Sequence, residues 1–305
     1  MDCLWGIAYK KQCLKNNALG RFKTMLKGIR KVIMTVLLTL AAMYVFLLAV
    51  LFFMQTRMVF RPSHVMAFDP SDAGLGFENL WLTASDGVRF NAWYVPAPED
   101  SSDPPVVLFC HGNGGDMSHR VSTLELIHEM GMACLLFDYR GYGLSQGKPG
   151  EKGIYRDAQA AWDHLVQDKG VAPERIILWG RSLGGGVASY LAKEHQAACL
   201  ILESTFTSVP DMAARLYPFL PVRLFCRHKF DTASRLDAIT CPVMVIHSPQ
   251  DDMVPYGNGE LLFERARYPK HFLAISGNHN EGFMQSSAAY TAGIRDFLVS
   301  HGITP

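Results

Sequence analysis

The chain has 305 residues, 49% of them hydrophobic and 19% charged, and 29 Lys and Arg against 28 Asp and Glu leave a formal charge of +1. That composition is too apolar for a disordered chain, and the charge balance gives no electrostatic case for a nucleic-acid partner. The length suits one large domain with an appendage.

The even balance hides an asymmetry at the N-terminus. Lys10, Lys11, Lys15, Arg21, Lys23, Lys27, Arg30 and Lys31 face a single acid, Asp2, before a run from Val32 to Met54 that holds no charge. A basic arm alone would also suit a nucleic-acid tail, but the apolar run behind it favours a membrane flank. At about 1.5 Å per residue such a run forms a helix roughly 35 Å long, enough to cross a bilayer core. Only Arg57 and Arg61 follow closely. The positive-inside rule then makes residues 1–31 a basic cytoplasmic segment and residues 32–54 the transmembrane helix, with the larger domain on the far side. That far side is a periplasm, a lumen or the cell exterior. A cleaved signal peptide would have a shorter basic region, a shorter apolar core and a prompt Ala-x-Ala site, so an uncleaved signal anchor of single-pass type II topology is expected.

Residues 55–78 read as a linker, and residues 79–302 as the globular domain. Asn79–Thr83 and Val88–Val95 flank Ala84-Ser85-Asp86-Gly87, an Asp-Gly turn that predicts an antiparallel hairpin. Pro96–Pro105 is a polar surface loop. Short apolar runs then recur at Val106–Phe109, Ala133–Phe137, Ile176–Trp179, Cys199–Leu202, Val243–Ile246 and His271–Ile275. Runs of this kind, rarely alternating, are how strands covered on both faces read. Helical spacing predicts helices over 119–130, 153–168, 183–194, 257–266 and 283–299. The alternation implies an α/β fold, a mostly parallel central sheet with helices on both faces.

Residues 203–240 break the rhythm. They carry Pro210, Pro218 and Pro221, aromatic Phe206, Tyr217, Phe219, Phe225 and Phe230, and basic Arg215, Arg223, Arg227, His228 and Lys229. Such a stretch is long for a simple crossover, and a small cap insertion is expected. The seven cysteines do not form a disulfide framework and no pair has metal-ligand spacing, so neither a metal nor a cofactor is expected.

The chemistry concentrates in the loops after strands. Gly180-Arg181-Ser182-Leu183-Gly184 lies between a predicted strand and a small-residue helix. A sharp strand-to-helix turn there presents the Ser182 hydroxyl at a strained corner, with glycines on either side to avoid collisions. A hydroxyl needs a base, and the oxygen that becomes negative needs donors. His111-Gly112-Asn113-Gly114-Gly115 follows the Val106–Cys110 run, and the backbone N–H groups of Asn113 and Leu183 are assigned as the oxyanion hole. His111 precedes the nucleophile, so a structural role in that loop is expected of it. Asp251 or Asp252 follows the Val243–Ile246 strand, and His279 follows the next. Both are at the carboxyl ends of strands, where open parallel sheets place active residues. Asp138, Arg140 and Glu203 also follow strand ends and read as structural.

The set HGNGG, FDYRGYGLS (137–145), GRSLGG, the Asp251 loop and GNHNE (277–281) resembles the α/β-hydrolase superfamily, and more narrowly its membrane-anchored ABHD-type branch. By that resemblance Ser182 is the nucleophile, His279 the base, and Asp251, in a D-x-x-V-P loop, the acid. The resemblance is what selects Asp251 over Asp252. The family usually has His-Gly where this chain has His247-Ser248, a departure that removes no reacting group. The resemblance implies a serine hydrolase acting on esters, thioesters or lipid-like acyl substrates. Alternatives are a peptidase or amidase of the same fold, or a non-catalytic membrane-anchored binding domain. A dinucleotide enzyme is disfavoured because HGNGG lacks the G-x-G-x-x-G spacing.

Overall fold

The computed structural model describes residues 2–99 and 103–304, apart from the side chains of residues 2–5 and 8. Part of the predicted Pro96–Pro105 loop, residues 100–102, lies outside the described residues. The chain divides after Met54 into two units. The first is helical, the greater part of helix α1 (Asp2–Val59). Leu38, Phe46 and Phe53 are all exposed on it, and its described residues form no buried apolar stripe of the kind a surface helix turns toward a core. The helix is long and apolar enough to cross a membrane.

The second unit is built on an eight-stranded sheet. In chain order its strands are β1 (Glu78–Thr83), β2 (Arg89–Val95), β3 (Val106–Cys110), β4 (Ala133–Phe137), β5 (Ile176–Arg181), β6 (Cys199–Glu203), β7 (Val243–His247) and β8 (Lys270–Ala274). They lie side by side as β8-β7-β6-β5-β3-β4-β2-β1. From β4 to β8 the pairings are parallel, while β1 pairs antiparallel with β2 and β2 with β4. The sequence-predicted hairpin therefore forms the antiparallel edge.

Every residue of β3 to β7 is buried, and alternate residues feed opposite layers. Val106 and Leu108 join Ile154 and Ala158 of α3 (Glu151–Asp163) and Val187 and Leu191 of α4 (Leu183–Glu194). Val107 and Phe109 join Leu124 and Ile127 of α2 (Val121–Glu129) and Ile294 and Phe297 on the opposite face. Two covered faces explain the unbroken apolar runs. Each buried Ile or Leu contributes about 1.5–3 kcal/mol, so these layers are the main stabilising element.

The helices depart from the sequence pattern in three places. The 119–130 prediction divides into a 3₁₀ turn, Met117–Arg120, and α2. The 153–168 prediction ends as α-helix at Asp163 and continues for one π-helical turn, His164–Asp168. The 283–299 prediction is interrupted. Ser286 bonds the backbone of Ser276 in both directions, Ser276 N–H to Ser286 Oγ at 2.8 Å and Ser286 Oγ–H to Ser276 O at 3.0 Å. A serine engaged with another segment's backbone competes with helix continuation.

Between β6 and β7 the chain forms α5 (Val209–Leu216), α6 (Val222–Phe225) and a 3₁₀ turn at Ala233–Ala238. After α6, α7 (Gly257–Arg265), α8 (Gly282–Gln285) and α9 (Ser287–Ser300) complete the unit. The residues that lead into the sheet pack against the segment following α6. The Gln55 side chain donates to Phe225 O at 3.0 Å and accepts from Arg227 N–H at 2.7 Å, and Thr56 Oγ1 lies 3.1 Å from His228 Nε2. Phe60, 3% exposed, sits edge-on to the rings of His228 and Phe230. Arg61-Pro62 then pairs in parallel with Gly114-Gly115.

Phe60 brings a buried phenyl ring to this junction. Phe60→Ala is expected to reduce the unfolding free energy of the globular unit by about 3–5 kcal/mol, the usual cost of emptying a buried phenyl site. Urea unfolding of the detergent-solubilised chain, followed by tryptophan fluorescence, measures it; an unchanged midpoint would mean that residues 55–62 do not support the fold.

Candidate active site

At the carboxyl end of β5 the backbone turns sharply into α4 through Ser182, whose φ of 54° and ψ of −119° lie where few non-glycine residues go. Ser182 N–H donates to Glu203 O at 2.9 Å, and the Thr205 hydroxyl donates to Ser182 O at 2.5 Å. The turn also brings helix backbone against strand backbone. A Cβ at Gly180 would strike the carbonyl of Gly184, and one at Gly184 would strike the carbonyl of Cys110. The G-x-S-x-G spacing is thus a steric requirement of this corner.

Ser182 Oγ lies 3.0 Å from His279 Nε2, and His279 Nδ1 lies 2.8 Å from Asp251 Oδ2. Asp252 has a different place: its carboxylate accepts the backbone N–H of His279 at 3.1 Å. Asp251 Oδ1 accepts from the N–H groups of Met253 and Val254 at 2.9 and 2.7 Å, while His247 Nε2 stands 3.5 Å from Oδ2. Burial raises the Asp251 pKa, but His247, His279 and the Val254 N–H favour the charged form more strongly. The carboxyl is therefore held well below the usual carboxylate range.

The loops that carry these groups are tied together. Ser248, at the position where the resembled family usually has glycine, donates through Oγ to Gly277 O at 2.6 Å and so links the Asp251 loop to the His279 loop. Arg181 Nη2 donates to His279 O and Asn280 O at 3.2 and 2.7 Å. Glu203 stands 3.5 Å from Arg181 Nε and accepts from Trp179 Nε1 and the Tyr290 hydroxyl at 3.0 and 2.9 Å. The strand-end carboxylate expected to be structural is engaged below the Ser182 corner.

Of the two residues assigned as oxyanion donors, Leu183 follows Ser182 and Asn113 lines the same cavity as Ser182. Leu183 opens α4, so its N–H is among those a helix leaves without an intrahelical partner. Gly112 O lies 2.7 Å from His111 Nδ1, which makes that ring nitrogen the donor. Burial pushes the His111 pKa down to about 3, keeping the ring neutral. The carbonyl and N–H of a trans peptide point opposite ways, so this bond turns the Asn113 N–H away from His111. Asn113 O accepts from Arg61 N–H at 3.1 Å and from the Tyr142 hydroxyl at 2.8 Å, and the Asn113 side chain donates to Val59 O at 2.9 Å. The loop is held on three sides. Asp138 accepts Met117 N–H at 2.9 Å, and Arg140 pairs with Asp86 and Asp157, both at 2.7 Å, as the structural reading of those two residues expects.

A cavity of about 500 Å³ opens over Ser182. Gly112, Asn113, His279 and Asn280 line it, together with Met58, Arg61, His119, Arg120, Arg181 and Met253. Sequence reasoning missed the last six. Arg181 was legible by its position next to Ser182, but Met58, Arg61 and Arg120 come from distant segments with no motif to mark them.

The family described as serine aminopeptidase, S33, matches residues 102–230. The alpha/beta hydrolase domain-containing protein WAV2 of Arabidopsis thaliana is 34% identical over 276 residues, covering 82% of this chain and 89% of that protein. An uncharacterized protein of Mycobacterium tuberculosis is 35% identical over 250 residues with the same two coverages, 82% and 89%. Among solved structures, an esterase of Pyrococcus furiosus, Pf2001, superposes with a TM-score of 0.64 at 21% identity, over 79% of this chain and 98% of that one. The chain belongs to the α/β-hydrolase superfamily. Membership supports a hydrolytic function of the serine-hydrolase type.

The depressed Asp251 pKa has a thermodynamic consequence. A carboxyl whose folded pKa lies below its unfolded value of about 3.9 stabilises the fold fully above that pH, and the contribution fades as pH falls toward the folded pKa. Asp251→Asn removes this linkage. The stability gap between wild type and variant is therefore expected to be constant from neutral pH to about 5 and to shrink below about 3.9. Urea unfolding across that range measures it, and a gap independent of pH would show that Asp251 is not held in its charged form.

Proposed function

We propose that the chain is a membrane-anchored serine hydrolase that cleaves carboxylic esters or thioesters through an acyl-enzyme on Ser182. The observation that carries this reading is the unbroken hydrogen-bond chain from Ser182 through His279 to Asp251 at a strained strand-to-helix corner. In the proposed cycle Ser182 Oγ forms a bond to the substrate carbonyl carbon as His279 Nε2 takes the hydroxyl proton. The carbonyl oxygen becomes negative and is met by the N–H groups of Asn113 and Leu183. Collapse expels the alcohol or thiol, which takes the proton back from His279. Water then attacks the acyl-enzyme by the same route and frees Ser182. Asp251 keeps the proton on Nδ1 and stabilises the imidazolium. Each step uses side chains, backbone donors and water.

The match to a family described as serine aminopeptidase favours a second reading, peptide cleavage. An aminopeptidase has to hold a substrate ammonium. The described residues that line the cavity include three arginines and no Asp or Glu, which supports the ester reading instead.

We infer further that residues 32–54 are an uncleaved signal anchor, that residues 1–31 are cytoplasmic and that the unit from 55 lies across the membrane. The N-terminal excess of lysine and arginine supports this orientation. In the same reading 55–78 connects the anchor to a hydrolase domain at 79–302, and 203–240 is its cap.

Ser182→Ala is expected to abolish covalent labelling by a fluorophosphonate probe. Asp251→Asn is expected to lower kcat/KM on an activated ester by about 10⁴-fold, as the equivalent change does in a serine protease, because the imidazole tautomer is misdirected. His279→Ala should be comparably damaging. Asp252→Asn touches only a backbone N–H and is expected to cost roughly tenfold or less. Kinetics on one p-nitrophenyl ester, with circular dichroism as a fold check, separates these; a normally labelled Ser182→Ala protein ends the serine-hydrolase reading.

Orientation is tested separately. Protease added outside spheroplasts or sealed vesicles of known sidedness is expected to digest the unit that contains Ser182. Digestion of residues 1–31 with full protection of that unit would reverse the orientation.

A further inference from the structure

The lining of the Ser182 cavity has an unbalanced charge. Arg61, Arg120 and Arg181 all reach it, and among the described residues no carboxylate lines it. The three differ in their commitments. Arg181 is occupied, facing Glu203 at 3.5 Å and bonding the carbonyls of His279 and Asn280. Arg120 donates through Nη2 to Gly114 O at 2.5 Å, while its buried Nε has no hydrogen-bond partner. Arg61 is exposed, and only its backbone is engaged, pairing with Gly114 and donating to Asn113 O. Among the described residues neither Arg61 nor Arg120 forms an ion pair with a carboxylate.

The nearest acids form no ion pair with Arg120. Asp116 Oδ1 is taken by Ser118 N–H, the Ser118 hydroxyl and His119, while its buried Oδ2 has no hydrogen-bond partner. Burial, together with the Asp116 charge, pushes the Asp138 pKa well above the usual range, which favours its neutral form. Burial, with the Arg181 charge nearby, pushes the Arg120 pKa down to about 10, so it remains cationic at neutral pH. A partly buried guanidinium with an unpartnered N–H and no ion-pair carboxylate is costly to hold.

We propose that the cavity selects acyl esters that carry an anion, a carboxylate or a phosphate, held by Arg120 and Arg61 on either side of the 112–115 loop. This rests on the serine-hydrolase reading of Ser182 and adds the substrate class. The planar guanidinium of Arg120, held by its Nη2 bond to Gly114 O, offers a fixed cation for a two-oxygen acceptor. Arg61, at the open side, supplies a second charge that draws an anion in. A neutral ester meets the same serine without either contact.

The experiment compares two matched pairs of substrates on the full-length, detergent-solubilised protein. One pair is hexanoylglycerol and hexanoylglycerol 3-phosphate. The other is a p-nitrophenyl ester of a six-carbon acyl chain ending in methyl or in carboxylate. The first pair puts a phosphate on the alcohol and the second a carboxylate on the acyl chain, so the pair that discriminates identifies the source of the anion. In at least one pair the anionic member is expected to have the higher kcat/KM, through a lower KM that rises with added salt. Arg120→Gln and Arg61→Gln should each reduce that preference by about tenfold or more, and Arg120→Lys should restore part of it.

Equal losses on charged and neutral members in both variants would reduce Arg120 and Arg61 to supports of the loop and overturn the inference. A wild-type preference for the neutral member in both pairs would do the same. Fluorophosphonate labelling of Ser182 is run in parallel. Labelling without anion preference rejects this inference alone, whereas absence of labelling rejects the hydrolase reading beneath it.

Discussion

The fold's chemistry depends on one backbone constraint, the left-handed corner at Ser182. A non-glycine residue held there costs on the order of 1–3 kcal/mol, and it persists only because neighbours over-determine it. Here those neighbours are the Glu203 carbonyl, which takes the Ser182 N–H, and the Thr205 hydroxyl, which donates to the Ser182 carbonyl. Both come from the end of β6 and the residues after it, so the corner is fixed from the adjacent strand as well as from its own. The corner also forces α4 close to β5 and β3, which is why Gly180 and Gly184 admit no side chain. The same turn places Leu183 at the start of α4, where a helix leaves its first N–H groups without an intrahelical partner.

Around that corner, three loops are locked to one another by polar contacts that do not touch the serine. Arg181 joins the corner to the His279 loop, Ser248 joins the Asp251 loop to Gly277, and Asp252 holds the His279 backbone. Glu203 anchors the set from beneath through Trp179 and Tyr290. A hydrogen-bond chain from serine to carboxylate needs its members placed to within fractions of an ångström, and cross-loop bonds of this kind supply such placement. The serine that stands where the resembled family usually has glycine belongs to this network.

The segment following the apolar run belongs to the globular unit. Gln55, Thr56 and Phe60 pack on the residues after α6, Asn113 bonds Val59, and Arg61 pairs with the glycines of the 112–115 loop. Met58 and Arg61 then become walls of the cavity. Residues that directly follow the apolar run thus help to hold the 112–115 loop. Arg61, Arg120 and Arg181 give that cavity a positive charge from outside residues 203–240.

Much of this was legible in the sequence because the relevant signals are local. A charge-free run of helical length marks a helix long and apolar enough to cross a membrane, runs without alternation mark strands covered on both faces, and glycines around Ser182 mark a corner where a Cβ collides. The order of Ser182, Asp251 and His279 at the carboxyl ends of three strands was readable for the same reason, since a parallel sheet sets its loops along one edge. Helix ends were less legible: the break at Ser286 depends on a bond to Ser276, and the π-helical turn at His164–Asp168 carries no clear mark in the pattern. The choice between Asp251 and Asp252 was open from the residues alone, because adjacent aspartates differ only in where the loop points them; the fold sets one on the imidazole and the other on the backbone. The cavity's charge was decided wholly in three dimensions. Arg61, Arg120 and Arg181 are separated in the chain by strands and helices, and only close packing of the segments that carry them brings the three residues to one cavity.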